Sequence, residues 1–511
     1  MTWLVHLHIR QMTDKMNRRG NFSMDDAGDQ KAGEMSRQLT ASRRAVFAGA
    51  GIGVLGGASI LAACSEEKSS LLDDAPTNNP DVVVIGGGFC GVTAARELRN
   101  RGLKVTLLEA RNRLGGRTFT SEFAGKETDM GGTWVSWLQP HVWAEINRYG
   151  MSLTETKGAA ASKFIALDYD GRRRETSIDD IGLELEASFG QLFADAYAIF
   201  SRPAEPFIDR SWIKQDKISL QQRLNEASLS PGMKVFIDAY LTTTGSSVPS
   251  EIAWIDMLRV FAICGFSLTS MNDAVARYKV TGGTKTLLDA MAKEARPDIR
   301  LDAVVRSVKQ SSGGVQVVTE DGQRFNAKAA VCTVPLNVLE DIEFSPPLPS
   351  GKLEPSQQKH AGSGTKTHIL LEGRHEPFSL WAPGGNAPIN FALTDGEING
   401  NTKLIAFGPS PKTLDVNDQE AVQAAINQFL PEAKVLQSFS YDWNLDPFSK
   451  GTWCISKPGQ MSKYLEDLQA PIERVFFASA DWANGFRGFI DGAIEQGLIA
   501  GRKVAELVSD Q

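Results

Sequence analysis

Short apolar runs alternate with amphipathic stretches along much of the chain, and this alternation predicts strands joined by helices. The run VVVI at 82–85 is followed by a helical pattern over 92–100 and a second apolar run, KVTLL, at 104–108. Two apolar strands joined by a helix in this way form a βαβ unit with parallel strands. Segments of the same character predict strands at 300–308, 314–319 and 329–335, and helices at 287–295 and 493–508.

The middle of the chain has a different pattern. Residues from about 180 to 270 carry helical signals, among them a Ser230-Pro231 start typical of an N-cap followed by proline. Residues from about 350 to 445 indicate strands with one helix at 418–429. Before this region, an Asp321-Gly322 turn between two predicted strands indicates a hairpin. The fold class is therefore predicted to be α/β, an α+β arrangement of two domains, in keeping with the length of 511 residues.

A glycine-rich turn directly follows the first apolar strand. Gly86, Gly88 and Gly91 have the G-x-G-x-x-G spacing. In this motif the first glycine permits a tight turn, the second lets the backbone approach a pyrophosphate, and the third lets the helix pack on the strand. Glu109 ends the second strand, 18 residues after Gly91, where a carboxylate meets the ribose hydroxyls. The arrangement predicts a dinucleotide site with the helix N-terminus at the phosphates.

A second glycine-rich segment distinguishes between dinucleotides. The run EARNRLGGRT at 109–118 and the run DMGGTW at 129–134 resemble two signatures of FAD-dependent amine oxidases. The resemblance implies that the FAD phosphate and ribityl region is met by Arg111, Arg113, Gly116 and Arg117. It also implies that the isoalloxazine is approached by Gly132 and Thr133. An NAD-binding domain has no reason to carry this second turn, so FAD is preferred over NAD.

The resemblance covers nearly all of residues 80–508 and implies the fold of that family. A Rossmann-like FAD-binding domain would be built from 80–152, 276–347 and 446–511. A substrate-binding domain of mixed sheet and helices, residues 153–275 and 348–445, would interrupt it. The same resemblance implies that Val305 contacts the adenine and that Asp481 lies near the ribityl and phosphate. It places Ile490 at the flavin edge. Asp481 replaces the more usual glutamate of the family.

Two strings narrow the resemblance, within flavin monoamine oxidases, to the bacterial nicotine and pseudooxynicotine oxidases. They are YDWNLDPFSKGTW at 441–453 and NGFRGFIDGA at 484–493. The resemblance implies that Trp453 and Phe489 are two aromatic walls around the substrate nitrogen, and that Lys366 holds a water at flavin N5. Aromatic faces exclude water yet tolerate developing positive charge. A lysine in an apolar strand is otherwise costly to bury, which favours a function for Lys366.

The implied reaction is hydride transfer from the carbon next to a neutral amine to flavin N5, followed by hydrolysis of the iminium. FAD is expected to be bound non-covalently, because Thr452 stands where mitochondrial-type relatives carry the cysteine that tethers the flavin. The remaining pocket is assigned, by rough alignment, to Tyr240, Thr244, Trp381 and Phe391.

The substrate implied is a secondary N-methylamine on a pyridine-bearing chain, such as pseudooxynicotine. Phe489 at the second wall fits the pseudooxynicotine oxidases better than it fits the nicotine oxidases, which carry asparagine there. Ser136 departs from the histidine of these relatives, so the substrate can differ.

Other functions stay open. Within the family, the chain could oxidise nicotine, polyamines or amino acids. A pocket for polyamines requires acidic residues that pair with the distal ammonium groups. A pocket for amino acids requires an arginine that pairs with the carboxylate. The sequence does not identify acidic residues or an arginine in these roles. A lipid-anchored flavoprotein without amine chemistry is a further alternative, against which Lys366 and the two aromatic walls argue. The electron acceptor is either oxygen or a cytochrome c, and a homodimer is one of the open oligomeric states.

Residues 1–79 are predicted to lie outside both domains. A Ser42-Arg43-Arg44 start, a Gly/Ala-rich apolar stretch and LAAC at 61–64 indicate an export signal. The paired arginines favour the twin-arginine route. The LAAC string resembles a bacterial lipobox, which predicts lipidation of Cys64, a tether over 65–79, and a periplasmic protein that meets the membrane only through this signal or anchor. The alternative is a true membrane helix, and translation starting at Met24 or Met35 is a further hypothesis.

The net charge and the counts of histidine and cysteine bear on binding of nucleic acid and metal and on disulfide formation. A net charge of −7 and the lack of a dense basic run argue against nucleic acid. The six histidines show no ligand spacing, so no metal is predicted. Five cysteines are too few to indicate a disulfide framework, and Cys90 and Cys332 are predicted to be buried thiols.

Overall fold

The computed structural model describes residues 79–385 and 387–509, so the predicted export signal, Cys64 and most of the tether lie outside the described residues. The strands are Val82–Ile85 (β1), Val105–Leu108 (β2), Thr120–Phe123 (β3), Lys126–Asp129 (β4), Trp134–Val135 (β5), Leu153–Glu155 (β6), Lys163–Leu167 (β7), Arg173–Ser177 (β8), Tyr278–Val280 (β9), Asp298–Arg300 (β10), Val305–Ser311 (β11), Gly314–Thr319 (β12), Arg324–Ala327 (β13), Ala329–Cys332 (β14), Glu343–Ser345 (β15), Thr365–Leu371 (β16), Phe378–Trp381 (β17), Phe391–Ile398 (β18), Asn401–Gly408 (β19), Val435–Ser440 (β20) and Val475–Phe477 (β21).

The α-helices are Phe89–Arg99 (α1), Pro140–Arg148 (α2), Ile178–Leu192 (α3), Ala196–Ile199 (α4), Leu220–Glu226 (α5), Pro231–Gly245 (α6), Trp254–Ile263 (α7), Leu268–Asn272 (α8), Thr284–Ala295 (α9), Ser350–Gln358 (α10), Gln419–Asn427 (α11), Gln460–Gln469 (α12) and Ile490–Ser509 (α13). Short 3₁₀ turns occur at Lys157–Ala160, Ser211–Gln215, Leu336–Asp341 and Ala480–Trp482. A π-helical turn spans Asp273–Arg277.

The first sheet is parallel and has apolar residues on both faces. Its strand order is β10-β2-β1-β14-β21, and its pairs run parallel. Val82 and Val84 pack with the apolar sides of α1, α9 and α13, whereas Val83 and Ile85 belong to the other large core. Burial of both faces explains the continuous apolar run in β1. The βαβ unit predicted from that run is therefore present.

Two helices next to this sheet approach each other through glycine. A Cβ added at Gly497 of α13 would lie 2.5 Å from the carbonyl oxygen of Cys90 in α1, and one at Gly501 would lie 2.6 Å from the Cβ of Glu97. Larger residues would push the helices apart. This packing fixes α1, the helix that follows the glycine turn.

The second large sheet is mixed. Its strand order is β20-β16-β19-β18-β17-β7-β8, with antiparallel neighbours except for the parallel pair β17–β7. Phe391 and Trp381 pack with Phe236 and Tyr240 of α6. Ile369 and Leu371 pack instead with Ile426 of α11. Helices therefore contact the sheet through both sets of alternating side chains.

Two elements differ from the sequence-based expectation. The strand predicted at 300–308 is two strands in different sheets, because Asp302 adopts a left-handed conformation with φ of 54° and ends the extended run. The segment predicted to hold one helix, 350–445, also contains α10. Pro355 lies inside α10, and proline is ordinarily a signal against a helix interior. Elsewhere the predicted elements are present, with ends shifted by a few residues.

The predicted fold class, α/β with an α+β arrangement, is confirmed: the structure contains a parallel sheet and a mixed sheet, each packed against helices. The domain boundaries stay a prediction, since the described residues form one compact unit. In the described part of the chain no single helix has the length and apolar character to cross a membrane; by these two criteria alone, the pair Trp254–Ile263 and Leu268–Arg277, bent by 98°, would qualify together.

Candidate active site

A cavity of about 700 Å³ begins at the glycine turn after β1 and extends to aromatic residues of the mixed sheet. Its volume is typical of small-molecule sites. Most of the predicted site residues line it: Gly86, Gly88, Glu109, Arg111, Gly116, Arg117, Gly132, Thr133, Val305, Lys366, Trp453, Phe489, Ile490, Tyr240, Thr244 and Phe391. Four do not: Gly91, Arg113, Asp481 and Trp381.

The glycines of the turn have the distinct roles that the motif requires. Gly86 has φ of 103°, which favours glycine. A Cβ at Gly91 would lie 1.9 Å from the carbonyl oxygen of Gly86, so Gly91 serves packing and does not face the cavity. A Cβ at Gly88 would find no atom closer than 3.8 Å, and the N-terminus of α1 has no side-chain cap. A helix N-terminus without a side-chain cap, beside open space, fits a pyrophosphate.

Glu109 is held at the end of β2 by backbone donors. The carboxylate, 3% exposed, accepts hydrogen bonds from the N–H of Gly87 at 2.7 Å and from the N–H of Arg111 at 2.9 Å. A fixed carboxylate with further lone pairs beside the cavity fits the ribose hydroxyls. The Arg111 guanidinium forms an ion pair with Asp446 at 2.5 Å. Arg111 thus links the glycine turn to the segment before Trp453.

The other two predicted arginines are used differently. The Arg113 guanidinium donates to the carbonyls of Leu114, Gly116 and Thr118 and stacks on Phe119, 4.2 Å from its ring centre. It therefore stabilises the second glycine turn from behind. Arg117 lines the cavity and forms an ion pair with Asp481 at 2.5 Å.

Asp481 lies behind Arg117 and does not reach the cavity. Its second oxygen accepts the N–H of Leu336 at 2.9 Å. Burial would raise the pKa of Asp481, but the positive charge of Arg117 leads the effects that hold this pKa below its ordinary value. Asp481 is thus an anionic support for Arg117.

Lys366 projects from β16 into a set of three acceptors. Its ammonium donates to the carbonyl of Asp129 at 2.8 Å, to the carbonyl of Gly131 at 2.9 Å and to the hydroxyl of Thr133 at 2.6 Å. The Thr133 hydroxyl itself donates to the Gly131 carbonyl at 3.0 Å, so it presents a lone pair to the lysine. Burial lowers the pKa of Lys366 to about 7, although the nearby carboxylate of Asp129 opposes this shift. The charge of Lys366 can therefore change near neutral pH.

Both predicted aromatic walls are half-buried and line the cavity. The indole N–H of Trp453 donates to the carbonyl of Thr244 at 2.9 Å, which fixes the orientation of the ring. Phe489 packs edge-on against Phe486, with ring centres 5.6 Å apart. Neither wall lies in a regular strand, and the loops that carry them must therefore be held by other contacts.

The lining residues that come from the mixed sheet, α6 and the π-helical turn carry no charge apart from Lys366: Tyr240, Thr243, Thr244, Ala274, Val275, Ala276, Thr365, Phe391, Leu393 and Phe407. Trp381 lies behind Phe391, with ring centres 4.8 Å apart. The Tyr240 hydroxyl is buried with no hydrogen-bond partner among the described residues, so the tyrosine offers its ring and not its hydroxyl. This amine end of the cavity, named for the amine that the walls would hold, is neutral and largely apolar.

Several lining residues escaped the sequence-based prediction, notably Phe407 and the π-helical turn. Phe407 stands opposite Phe391 in the β18–β19 register, so the pairing of these strands would have found it. The turn residues Ala274, Val275 and Ala276 are small and apolar and carry no local signal. Their role depends on a tertiary contact.

A parallel sheet with a glycine turn, a buried carboxylate at the end of β2 and a long cavity that ends in aromatic residues are typical of a dinucleotide-dependent oxidoreductase. The family model described as flavin containing amine oxidoreductase matches residues 89–505, and the chain belongs to that family. The predicted family, enzyme class and FAD cofactor are confirmed.

Individual relatives agree with the family. The chain is 43% identical over 428 residues to the pseudooxynicotine dehydrogenase of a Pseudomonas species, which covers 83% of this chain and 86% of that protein. It is 36% identical over 473 residues to the nicotine dehydrogenase of Pseudomonas putida (strain DSM 28022 / S16), covering 92% and 98%. The structure of wild-type putrescine oxidase bound to putrescine matches with a TM-score of 0.72 at 23% identity, over 84% of this chain and 99% of that one. This last likeness concerns the fold alone.

Proposed function

We propose that this enzyme oxidises a secondary N-methylamine whose remainder is aromatic and uncharged, of the pseudooxynicotine type. The observation that carries the proposal is the neutral amine end of the cavity. A polyamine would bring a distal ammonium group and an amino acid would bring a carboxylate, and each needs an opposite charge when it is buried. The lining residues of the mixed sheet and α6 offer neither a carboxylate nor a guanidinium within the described chain, and the ammonium of Lys366 already donates to three acceptors.

The relatives support the same substrate class. Two of them are named for pseudooxynicotine and for nicotine, and each of these compounds carries a pyridine ring and an N-methylated nitrogen. A flat heteroaromatic ring suits the contact surface that Tyr240, Phe391 and Phe407 provide. The reaction would convert R–CH2–NH–CH3 into R–CH=NH⁺–CH3 by loss of a hydride to the flavin, and water would hydrolyse this iminium to the aldehyde and methylamine.

FAD, when bound, supplies the acceptor for the hydride that leaves the carbon next to nitrogen. The chain supplies the surroundings of that carbon. Trp453 and Phe489 would flank the nitrogen, exclude water and favour the neutral amine before reaction, and their ring faces would stabilise the positive charge that develops. Lys366, with its three acceptors, would hold a proton or a water at the junction between the cofactor and amine ends.

Contacts to the cofactor are proposed on the same basis. Gly88 and the N-terminus of α1 would bind the pyrophosphate, Glu109 the ribose, and Arg117 the ribityl and phosphate region. Val305 would contact the adenine, and Gly132 with Ile490 the flavin edge.

Non-covalent binding of FAD is proposed because Thr452, at the tethering position, is engaged with Ser246 by a hydroxyl contact of 2.8 Å. The described cysteines are all buried and free; Cys454 does not line the cavity, and Cys90, which does, lies in the first turn of α1 and not at the tethering position. Acid precipitation should release the yellow chromophore, whereas flavin that stays with the protein would contradict this part of the proposal.

The substrate proposal is tested by anaerobic flavin reduction. The FAD-loaded protein is mixed with pseudooxynicotine, nicotine, spermidine and a set of amino acids, and loss of flavin absorbance is followed. We expect the highest ratio of limiting rate to dissociation constant with pseudooxynicotine. Faster reduction by spermidine or by an amino acid would overturn the proposal. Faster reduction by nicotine would show that the preferred substrate is the cyclic amine.

A c-type cytochrome is proposed as the electron acceptor, since two relatives are named dehydrogenases. Reoxidation of the reduced protein by cytochrome c should exceed reoxidation by air-saturated buffer. Faster reoxidation by air, with release of peroxide, would assign oxygen instead.

Export through the twin-arginine route with lipidation of Cys64 is proposed from the sequence of the first 79 residues. Replacement of Arg43 and Arg44 by lysine should retain the protein in the cytoplasm, and Cys64→Ser should release it from the membrane fraction. Unchanged fractionation of both variants would contradict the proposal.

A further inference from the structure

The two aromatic walls lie on separate loops whose backbones touch. Gly488, next to Phe489, has φ of 82°, and a Cβ there would lie 2.9 Å from the carbonyl oxygen of Cys454, next to Trp453. The separation of the two walls therefore depends on how these loops are held against each other. Neither loop is part of a sheet, so no strand pairing supplies that hold.

Helix α7 lies behind both loops and bonds to each of them. Asp256 accepts the N–H of Ser456 at 2.6 Å, three residues after Trp453. The carbonyl of Ser456 in turn accepts the N–H of Ala253 at 2.9 Å, just before α7. Arg259 donates to the carbonyl of Gly485 at 2.5 Å, four residues before Phe489. One helix thus anchors the backbone on both sides of the cage.

Three buried charges join these anchors. The Asp256 Oδ1 atom lies 3.6 Å from the Arg259 guanidinium and also 3.6 Å from the guanidinium of Arg487, which is two residues before Phe489. The three side chains are at most 2% exposed. Arg487 also donates to the carbonyl of Ala483 at 3.2 Å. The cluster of Asp256, Arg259 and Arg487 therefore connects the Trp453 loop, the Phe489 loop and α7.

The energetics of such a cluster favour a role in geometry. Removing charges from water costs several kcal/mol for each ion, and apolar replacements of buried ion clusters are often neutral or stabilising. Burial, followed by the neighbouring charge of Arg487, lowers the pKa of Arg259 to about 10, so the guanidinium remains charged at neutral pH. A cluster that need not add to stability but bonds to the backbone of both loops can be retained for the arrangement that it fixes.

We propose that Asp256, Arg259 and Arg487 are positioning residues that set the separation of Trp453 and Phe489, and with it the size of the N-substituent that the cage accepts. The inference rests on the proposed function of the two walls as an amine cage. The cluster would act only through the loops, because none of its members lines the cavity.

The test uses the FAD-loaded protein and three amines that differ only at nitrogen: pseudooxynicotine, its primary-amine analogue and its N-ethyl analogue. The limiting rate of anaerobic flavin reduction is measured for each in the wild type, Arg487→Met, Arg487→Lys and Asp256→Asn. Because a misplacement of about 1 Å can cost about 100-fold in rate, we expect the N-methyl to N-ethyl rate ratio to change by about tenfold or more in Arg487→Met and Asp256→Asn. Arg487→Lys should restore the ratio to within about threefold.

A matched control removes another buried ion pair, neither of whose residues lines the cavity. Arg96 and Glu145 are 2% and 7% exposed and join α1 to α2. The double variant Arg96→Met/Glu145→Gln should alter thermal stability but leave the rate ratio unchanged. Flavin content and melting temperature are measured for every variant, so that general loosening is recognised. Should Arg487→Met fail to fold, the ratio in Asp256→Asn decides.

The inference is overturned if Arg487→Met and Asp256→Asn slow all three amines by the same factor, or if the control changes the ratio as strongly. Its failure differs from failure of the proposed function. If pseudooxynicotine does not reduce the wild-type flavin but benzylamine and its N-methyl and N-ethyl forms do, the proposed substrate is wrong, and the benzylamine series then tests the positioning role by the same ratio.

Discussion

The two ends of the cavity are built on different physical principles. At the cofactor end, backbone N–H groups and charged side chains line the cavity and are held in place: Glu109 by two backbone donors and Arg117 by Asp481. At the amine end, aromatic rings and small side chains provide the surface, and the hydroxyl of Tyr240 is buried with no hydrogen-bond partner among the described residues. Lys366 stands between the two and contacts the Asp129–Thr133 segment.

This contrast predicts different tolerance to change. Hydrogen bonds and close backbone contacts have narrow distance limits, so a small displacement at the cofactor end removes several interactions together. Aromatic packing varies more gradually with distance, so changes at the amine end should alter rates and substrate preference while FAD stays bound. The two ends can therefore be separated by experiment.

The largest effect is expected at Gly91. A Cβ there would lie 1.9 Å from the Gly86 carbonyl oxygen, so Gly91→Ala must move the glycine turn or α1. Strain of about 3 kcal/mol is at the upper end for an overpacked site, which corresponds to a loss of about 100-fold in FAD affinity. Flavin content after dialysis and the dissociation constant for FAD measure this.

The matched control is Gly190→Ala in α3, where an added Cβ meets no atom within 4 Å. Alanine should favour the helix by up to about 1 kcal/mol and leave FAD affinity unchanged. If Gly91→Ala binds FAD as tightly as this control does, the close packing at the turn is not needed for the cofactor.

Trp453 gives the next largest effect and concerns the amine end. Trp453→Ala removes a ring face that can contribute about 2 kcal/mol to a developing cation, so kcat/KM should fall by about 30-fold. Trp453→Phe keeps a face but loses the bond to the Thr244 carbonyl, worth about 1 kcal/mol, so it should lose about fivefold. FAD content should be normal in both, as the contrast between the two ends requires. Equal losses would assign the effect to the hydrogen bond.

How much could be predicted from the sequence also differs between the two ends. The glycine turn, the helix after it and Glu109 lie within one βαβ unit, where spacing alone fixes the geometry. The aromatic walls were predicted only through the family resemblance, because a single tryptophan or phenylalanine has no local signal for lining a cavity. The acceptors of Lys366 are at least 233 residues away from it in sequence, and no local pattern predicts such a contact.

Two assignments show what tertiary packing adds. Asp481 and Arg113 were expected at the cofactor, and the structure places both behind residues that line the cavity. Family position gave the correct neighbourhood, but the direction of each side chain depends on its long-range partners, Arg117 for the acid and the backbone carbonyls for the arginine. The strand expected at 300–308 failed for a similar reason, because one left-handed residue, Asp302, divides it.

A smaller effect concerns the junction at Lys366. The Thr133 hydroxyl accepts from the ammonium, so it favours the charged form; Thr133→Val removes this stabilisation, and the pKa of Lys366 should fall further below its value of about 7. A hydrogen bond to a charged group of this kind corresponds to a shift of about one unit. The bound flavin's absorbance, titrated between about pH 5 and pH 9, should show the transition.

Thr133→Ser keeps the acceptor and should retain the wild-type midpoint, and Lys366→Met should show no transition. A midpoint that rises in Thr133→Val would mean that the hydroxyl favours the neutral amine, with the proton of Thr133 directed at the lysine. The experiment is done without substrate, so ionisation of the amine does not enter.

The smallest effect is expected at Trp381. Its substitution tests whether this residue contacts the substrate or only supports Phe391. Its ring packs against Phe391 at 4.8 Å between centres, and its indole N–H donates to the Ser379 hydroxyl at 2.7 Å. Trp381→Phe should reduce the free energy of unfolding by about 1 kcal/mol, through the lost hydrogen bond, and change kcat/KM by less than about threefold. A tenfold or larger change in kcat/KM with unaltered stability would place the substrate against Trp381. The amine end would then extend past Phe391 toward α6, and the neutral surface that selects the substrate would include a hydrogen-bond donor.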